Sequence, residues 1–172
     1  MRRNDNYQRD VLVQAVSNQD LDTIRFLQNS AIKPKIDFNA QDIDGNNILT
    51  HSVKKGALDS LRELLSIPGM NVNHKHRHDG SLLVIAAEMN NGKMINYLLT
   101  HPDIDVNLSD DRGCTALHYA IVKKNNELAK KLLLNESCDI NIKEDVLGVT
   151  AFMQAICLNN NNIASEFLSG MI

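Results

Sequence analysis

The chain has 172 residues, 43% of them hydrophobic and 23% charged, with a net charge of −3. This suits a single globular domain, and the lack of Trp with only 4% aromatics makes its core aliphatic. No basic block tracks phosphates and no apolar run nears the roughly 20 residues of a membrane span, so neither nucleic acid nor membrane is expected as a partner.

In chain order, five helix-start residues stand out: Asp10, Asn47, Ser81, Thr115 and Thr150. Each has a side-chain oxygen that can accept from a first-turn N–H. Each lies five residues before a small residue, namely Ala15, Ser52, Ala86, Ala120 and Ala155. A small side chain lets a second helix approach closely. That second helix shows as an apolar stripe with spacings of three and four. Its members are Ile24, Phe26 and Leu27; Leu61, Leu64 and Leu65; Ile95, Leu98 and Leu99; Leu128, Leu132 and Leu133; and Ile163, Phe167 and Leu168. Polar turns such as Asn90-Asn91-Gly92 join the two helices.

After each second helix but the last comes a phrase ending in asparagine, as in Ile104-Asp105-Val106-Asn107. Asn39, Asn73, Asn107 and Asn141 recur every 34 residues. Such a period marks a stacked repeat. A polar link then leads to Gly45, Gly80, Gly113 and Gly148, whose spacing varies as 35, 33 and 35. Turn-forming sequences such as Asp110-Asp111-Arg112-Gly113 predict hairpin tips that absorb small length changes. The fold class is all-α. One domain is expected, with units at 7–39 (an N-terminal cap), 40–73, 74–107, 108–141 and 142–172 (a C-terminal cap).

Gly113-Cys-Thr-Ala-Leu-His-Tyr-Ala120 closely resembles the ankyrin-repeat signature, with alanine in the proline place. The period and the Asp-Val-Asn phrase match as well. The Asn-rich, divergent repeats look like stacks found in bacterial effectors and large DNA viruses. The resemblance implies a solenoid of helix-turn-helix units with short β-hairpin tips, and a concave groove lined by first helices and tips. It implies a protein partner, with no chemistry and no cofactor. It also assigns His118 to tying neighbouring loops together. The four loop asparagines are read as scaffold that satisfies backbone groups at the turns.

Projecting that groove gives the positions just before and two after each small residue. They are His51 and Lys54, Ile85 and Glu88, Tyr119 and Val122, and Gln154 and Cys157. Ile85, Tyr119 and Val122 are expected to form a small apolar patch rimmed by Arg77 and Arg112. The alternative is that Ile85 and Tyr119 pack within the stack. His74-Lys75-His76-Arg77-His78 could align three imidazoles on one side of a strand. Zn²⁺ binding there is weighed below a basic, pH-sensitive contact patch at a tip, with His78 among its contact residues. Parallel side chains do not converge, and flanking cations repel a metal. Cys114 has no base or orienting partner in the pattern and reads as a small tip residue. The expected function is a monomeric, cytoplasmic, non-catalytic protein-binding module. The alternative is a target-recognition arm of a larger effector or enzyme. Odd, unpaired cysteines suit a reducing compartment, and the polar N-terminus shows no Sec-type leader.

Overall fold

The computed structural model describes residues 2–29, 37–76 and 78–169. It divides into two compact units, Met1–Val72 and Asn73–Ile172. The division falls inside the second asparagine phrase.

The first unit holds α1 (Arg2–Asn18), α2 (Leu21–Asn29), α3 (Ile48–Lys54) and α4 (Leu58–Leu65). Here α1 packs on α2 and α3, and α4 packs on α2 and α3. Leu12, Val16, Ile24, Leu49, Val53, Leu61 and Leu64 are buried. Asp10 is not a helix start, because α1 already begins at Arg2. No glycine or proline precedes it, so nothing stops the helix from running on past Asp10 towards the N-terminus.

The second unit begins with a hairpin, β1 (Lys75–His76) against β2 (Gly80–Ser81). It continues with α5 (Leu82–Glu88), α6 (Gly92–Leu98), α7 (Ala116–Val122), α8 (Asn126–Leu133), α9 (Ala151–Cys157) and α10 (Asn161–Ser169). First helices α5, α7 and α9 pack in sequence, each against its own second helix. Ala86, Ala120 and Ala155 are buried at these contacts, together with Leu98, Leu132 and Phe167. The next two tips carry a single bridge each, Ser109 to Thr115 and Lys143 to Thr150.

Local chemistry explains the repeating helix pairs. Asn47, Ser81 and Thr150 accept the N–H of Thr50, Val84 and Met153, capping α3, α5 and α9. The carbonyl of every small residue closes its helix, accepting from Asp20, Ala57, Asn91, Asn125 and Asn160. Four residues past each small residue the chain turns left-handed, at Gln19, Gly56, Asn90, Lys124 and Asn159. Asparagine tolerates that conformation better than most residues, so part of the asparagine excess serves these turns.

Two members of the expected apolar stripe face water. Phe26 is 62% exposed and Leu168 is 54% exposed. Phe26 lies two residues, about 200° of helix, from buried Ile24, so both cannot share a face. The all-α repeat class read from the sequence holds. Among the described residues, no helix is long and apolar enough to cross a membrane.

Candidate functional site

The loop asparagines bridge one repeat to the next. Asn39 Nδ2 donates to Gly69 O, Asn73 Nδ2 to Asp103 O and Asn107 Nδ2 to Ser137 O. In return, Asn73 Oδ1 accepts the Asp105 N–H and Asn107 Oδ1 that of Asp139. The backbone N–H of Asn141 is held by Asp139 Oδ1 at 2.9 Å.

A second series, not recognised in the sequence, organises the tips. Asp42, His76, Asp110 and Glu144 stand 34 residues apart, each three past a loop asparagine. Each presents an acceptor to the backbone of its own tip. Asp42 Oδ1 takes the N–H of Asp44 at 2.9 Å and of Asn46 at 2.8 Å. Asp110 Oδ1 takes those of Arg112 and Cys114, both at 2.9 Å. The Glu144 carboxylate takes those of Val146, Leu147 and Val149. His76 Nδ1 takes the N–H of Asp79 at 3.0 Å and of His78 at 3.4 Å. The signal was present in the period, but the changes from aspartate to histidine to glutamate hid it from any search for one residue type.

Two of these tips are also tied to the first helix that follows. His51 Nε2 lies 3.0 Å from Asp42 Oδ2, and Lys54 Nζ donates to Asn46 Oδ1 at 2.7 Å. The Tyr119 hydroxyl donates to Asp110 Oδ2 at 2.8 Å and is itself met by the Arg112 guanidinium. Arg112 also pairs with Asp110 at 3.2 Å and sits 3.8 Å from Glu88. Burial alone would raise the Asp110 pKa. The donors Tyr119, Cys114 and Arg112 outweigh it and hold the carboxylate below its ordinary range. Burial and the bond to Asp110 push the Tyr119 phenol up.

The expected apolar patch is therefore corrected. Ile85 is only 3% and Tyr119 only 8% exposed, which leaves Val122 as the exposed member at 52%. Tyr119 turns inward because its hydroxyl is a donor for the buried Asp110 carboxylate. Glu88 is half-buried beside exposed Arg112. Arg77 lies outside the described residues. Two strongly exposed apolar side chains at the Glu144 tip were not anticipated: Val146 at 72% and Leu147 at 78%. Their N–H groups are held by Glu144, which turns both side chains outward.

The three tip histidines do not line up. His76 is buried, whereas His78 sits in the turn and pairs with Asp111 at 3.0 Å. Their rings lie 6.3 Å apart, edge to face. No group of three potential ligands converges on a metal position among the described residues.

His118 takes the Thr115 N–H on Nδ1 and lies 2.9 Å from the Thr115 hydroxyl. Its Nε2 reaches Val149 O at 3.4 Å, in the next tip. Burial lowers its pKa, which suits a neutral imidazole with one accepting and one donating nitrogen. Burial pushes the Cys114 thiol up to about 11, with Asp110 adding to the effect. It stays protonated at neutral pH and is a poor nucleophile. A cavity of about 520 Å³ lies between α8, the loop after it and α10. Leu134, Cys138, Ile140 and Phe167 line it beside the Lys130–Glu166 ion pair. Its thiol, Cys138, is likewise raised by burial to about 11.

The chain matches the family model described as ankyrin repeats (3 copies), over residues 12–110 and 83–171. No match to a curated protein was found. With repeated helix pairs, hairpin tips and a family match spanning most of its length, the chain belongs to the ankyrin-repeat family, whose repeats serve as protein–protein interaction modules.

Proposed function

We propose that the chain is a non-catalytic, monomeric, cytoplasmic domain that holds a partner protein against its first-helix faces and hairpin tips. The observation that carries this reading is the division of labour within each tip. Inward carboxylates at Asp42, Asp110 and Glu144 hold the backbone, while neighbouring side chains are presented to solvent. A surface already held in place loses little freedom on binding. In the second unit it offers Val122, Val146 and Leu147 as apolar contacts, and His78, Glu88 and Arg112 as polar ones. In the first unit, His51 and Lys54 are half-buried and contribute their remaining exposed edges. Ile85 and Tyr119 support the surface from beneath.

The full chain should be used as bait in cell lysate beside a Val122→Asp/Leu147→Asp variant and a Lys93→Ala control on a second helix. Wild type and control should capture the same protein, and the double variant should lose it with an unchanged circular dichroism spectrum. Equal capture by all three removes the first-helix and tip assignment. If the domain is the recognition arm of a larger effector or enzyme, the same surface is used and the same variants test it.

A further inference from the structure

The tip of the third unit (74–107), the third tip, differs from those of the second, fourth and fifth units, held by Asp42, Asp110 and Glu144, in the atom that holds it. Elsewhere the inward acceptor is a carboxylate, which needs no particular protonation near neutral pH. Here it is the Nδ1 lone pair of His76, a side chain only 4% exposed. An imidazole nitrogen accepts only while it carries no proton.

Asp79 supplies both alternatives to that nitrogen. Its backbone N–H lies 3.0 Å from Nδ1 and requires the lone pair. Its carboxylate Oδ2 also lies 3.0 Å from Nδ1 and requires a proton there. The two contacts are mutually exclusive, and one proton decides between them. The fourth tip has a second hold, Tyr119 on Asp110, but the equivalent residue before the small position in the third is apolar Ile85. No side chain of α5 therefore replaces the lost acceptor from that position.

We propose that His76 is a proton switch for the third tip, closed when Nδ1 is bare and opened when Nδ1 is protonated. In the closed state the N–H groups of His78 and Asp79 are held. On protonation, Nδ1–H donates to Asp79 Oδ2, and both N–H groups lose their acceptor. An imidazole nitrogen can be made to give up its acceptor role by a single proton, whereas the ionised carboxylates of the other tips go on accepting.

The charged groups around it act as follows. Its own segment carries His74, Lys75, Arg77, His78 and Asp79 in sequence. Lys75 opposes a charge on His76, as do His74 and His78 once protonated, and Asp79 favours it. From the fourth tip come Asp110 and Asp111. Asp111 accepts from His78 at 3.0 Å, and its N–H donates to His78 O at 3.2 Å. The His78–Asp111 pair and the backbone bond beside it keep the tip docked while its inner turn loosens. The switch does not depend on which partner the domain binds. Where that partner touches His78, binding gains a pH dependence.

The test is nitrogen-15 NMR of the full chain between about pH 8 and pH 5. One readout is the protonation of the His76 ring nitrogens. The other is solvent exchange of the His78 and Asp79 amides, corrected for intrinsic rates. The Arg112 and Cys114 amides, held by Asp110, are the internal reference. Buried His118 titrates too and shifts global stability, so local amides rather than a melting temperature carry the result. The expected outcome is a bare Nδ1 at the alkaline end. His78 and Asp79 should then exchange about tenfold faster as the ring charges, with Arg112 and Cys114 unchanged. His76→Asn, whose carbonyl accepts at every pH, should abolish the change, and His78→Gln should keep it. A proton on Nδ1 at pH 8 would overturn the proposal. So would unaltered exchange as His76 titrates, or loss of the change in His78→Gln. The wild-type titration decides the matter even where a variant fails to fold.

Discussion

The third and fourth tips perform the same turn on different chemistry. In the fourth, Asp110 satisfies two backbone N–H groups and is held in turn by Tyr119 and Arg112. In the third, His76 does the first task with one nitrogen, and Ile85 stands where the tyrosine would be. The backbones of the two tips are bonded together through Asp111 N–H and His78 O at 3.2 Å. A repeat can therefore replace its structural acceptor and keep its place in the row, provided that the substitute offers a lone pair at the same point. What changes is the condition under which the turn holds.

The comparison breaks most visibly at Asp110. Asp110→Ala leaves two N–H groups and the Tyr119 hydroxyl without an acceptor and should cost about 3–5 kcal/mol in urea unfolding. His76→Ala, which frees two N–H groups from a weaker acceptor, should cost about 1–2 kcal/mol. Equal costs would show that the Tyr119 and Arg112 contacts add nothing.

The pH dependence of Asp110 separates the tips further. Its pKa is depressed in the folded state, so the stability it contributes is complete above the ordinary aspartate value of about 4. That stability is lost as pH falls through the depressed folded value. Asp110→Asn should flatten the acid limb of a stability profile in that window alone. His118 is a base with a depressed pKa, so its contribution is present above about pH 6.5 and declines as pH falls from there.

Next in size is the contact between the tips. Gly80 has φ +77°, and a Cβ there would lie 2.8 Å from Asp110 N. Gly148 has φ +68° with nothing within 4 Å. Gly80→Ala should therefore cost about 3 kcal/mol, strain plus clash, and Gly148→Ala about 1–2 kcal/mol, strain alone. Thermal melts of the two variants would check the difference, and equal shifts would mean that the third and fourth tips are not in close contact.

Smaller again is Tyr119→Phe, which removes one donor from a carboxylate with several and should cost about 1 kcal/mol. A loss above about 3 kcal/mol would make the tyrosine, not the backbone N–H groups, the main support of Asp110. The smallest change has the opposite sign. Lys124 turns left-handed with φ 55°, and Lys124→Gly should gain about 0.5–1 kcal/mol in the melt.

Much of the fold was legible because its signals repeat. The small residues, the asparagine period and the caps at Asn47, Ser81 and Thr150 each recur at a fixed offset. Asp10 misled because a cap residue signals a helix start only where something stops the helix before it. The orientation of the candidate residues was not legible: Ile85 and Tyr119 proved buried, since sequence spacing does not reveal that a phenol must reach a buried carboxylate. Val146 and Leu147 went unnoticed because two apolar residues between an aspartate and a glycine read as unremarkable loop. The inward acceptors were missed because period matters there and residue type does not.

The inward acceptor has a consequence for variation. It bonds to the main chain of its own tip, and every residue type except proline offers the same main-chain N–H. The side chains at Val146 and Leu147 can thus be exchanged without touching the contact that shapes the loop. Surface changes of that kind ordinarily move stability by no more than about 0.5 kcal/mol. A library randomised at these two positions, with Glu144 kept, should stay folded almost throughout, so the exposed face of this tip can be rewritten while its frame is left alone.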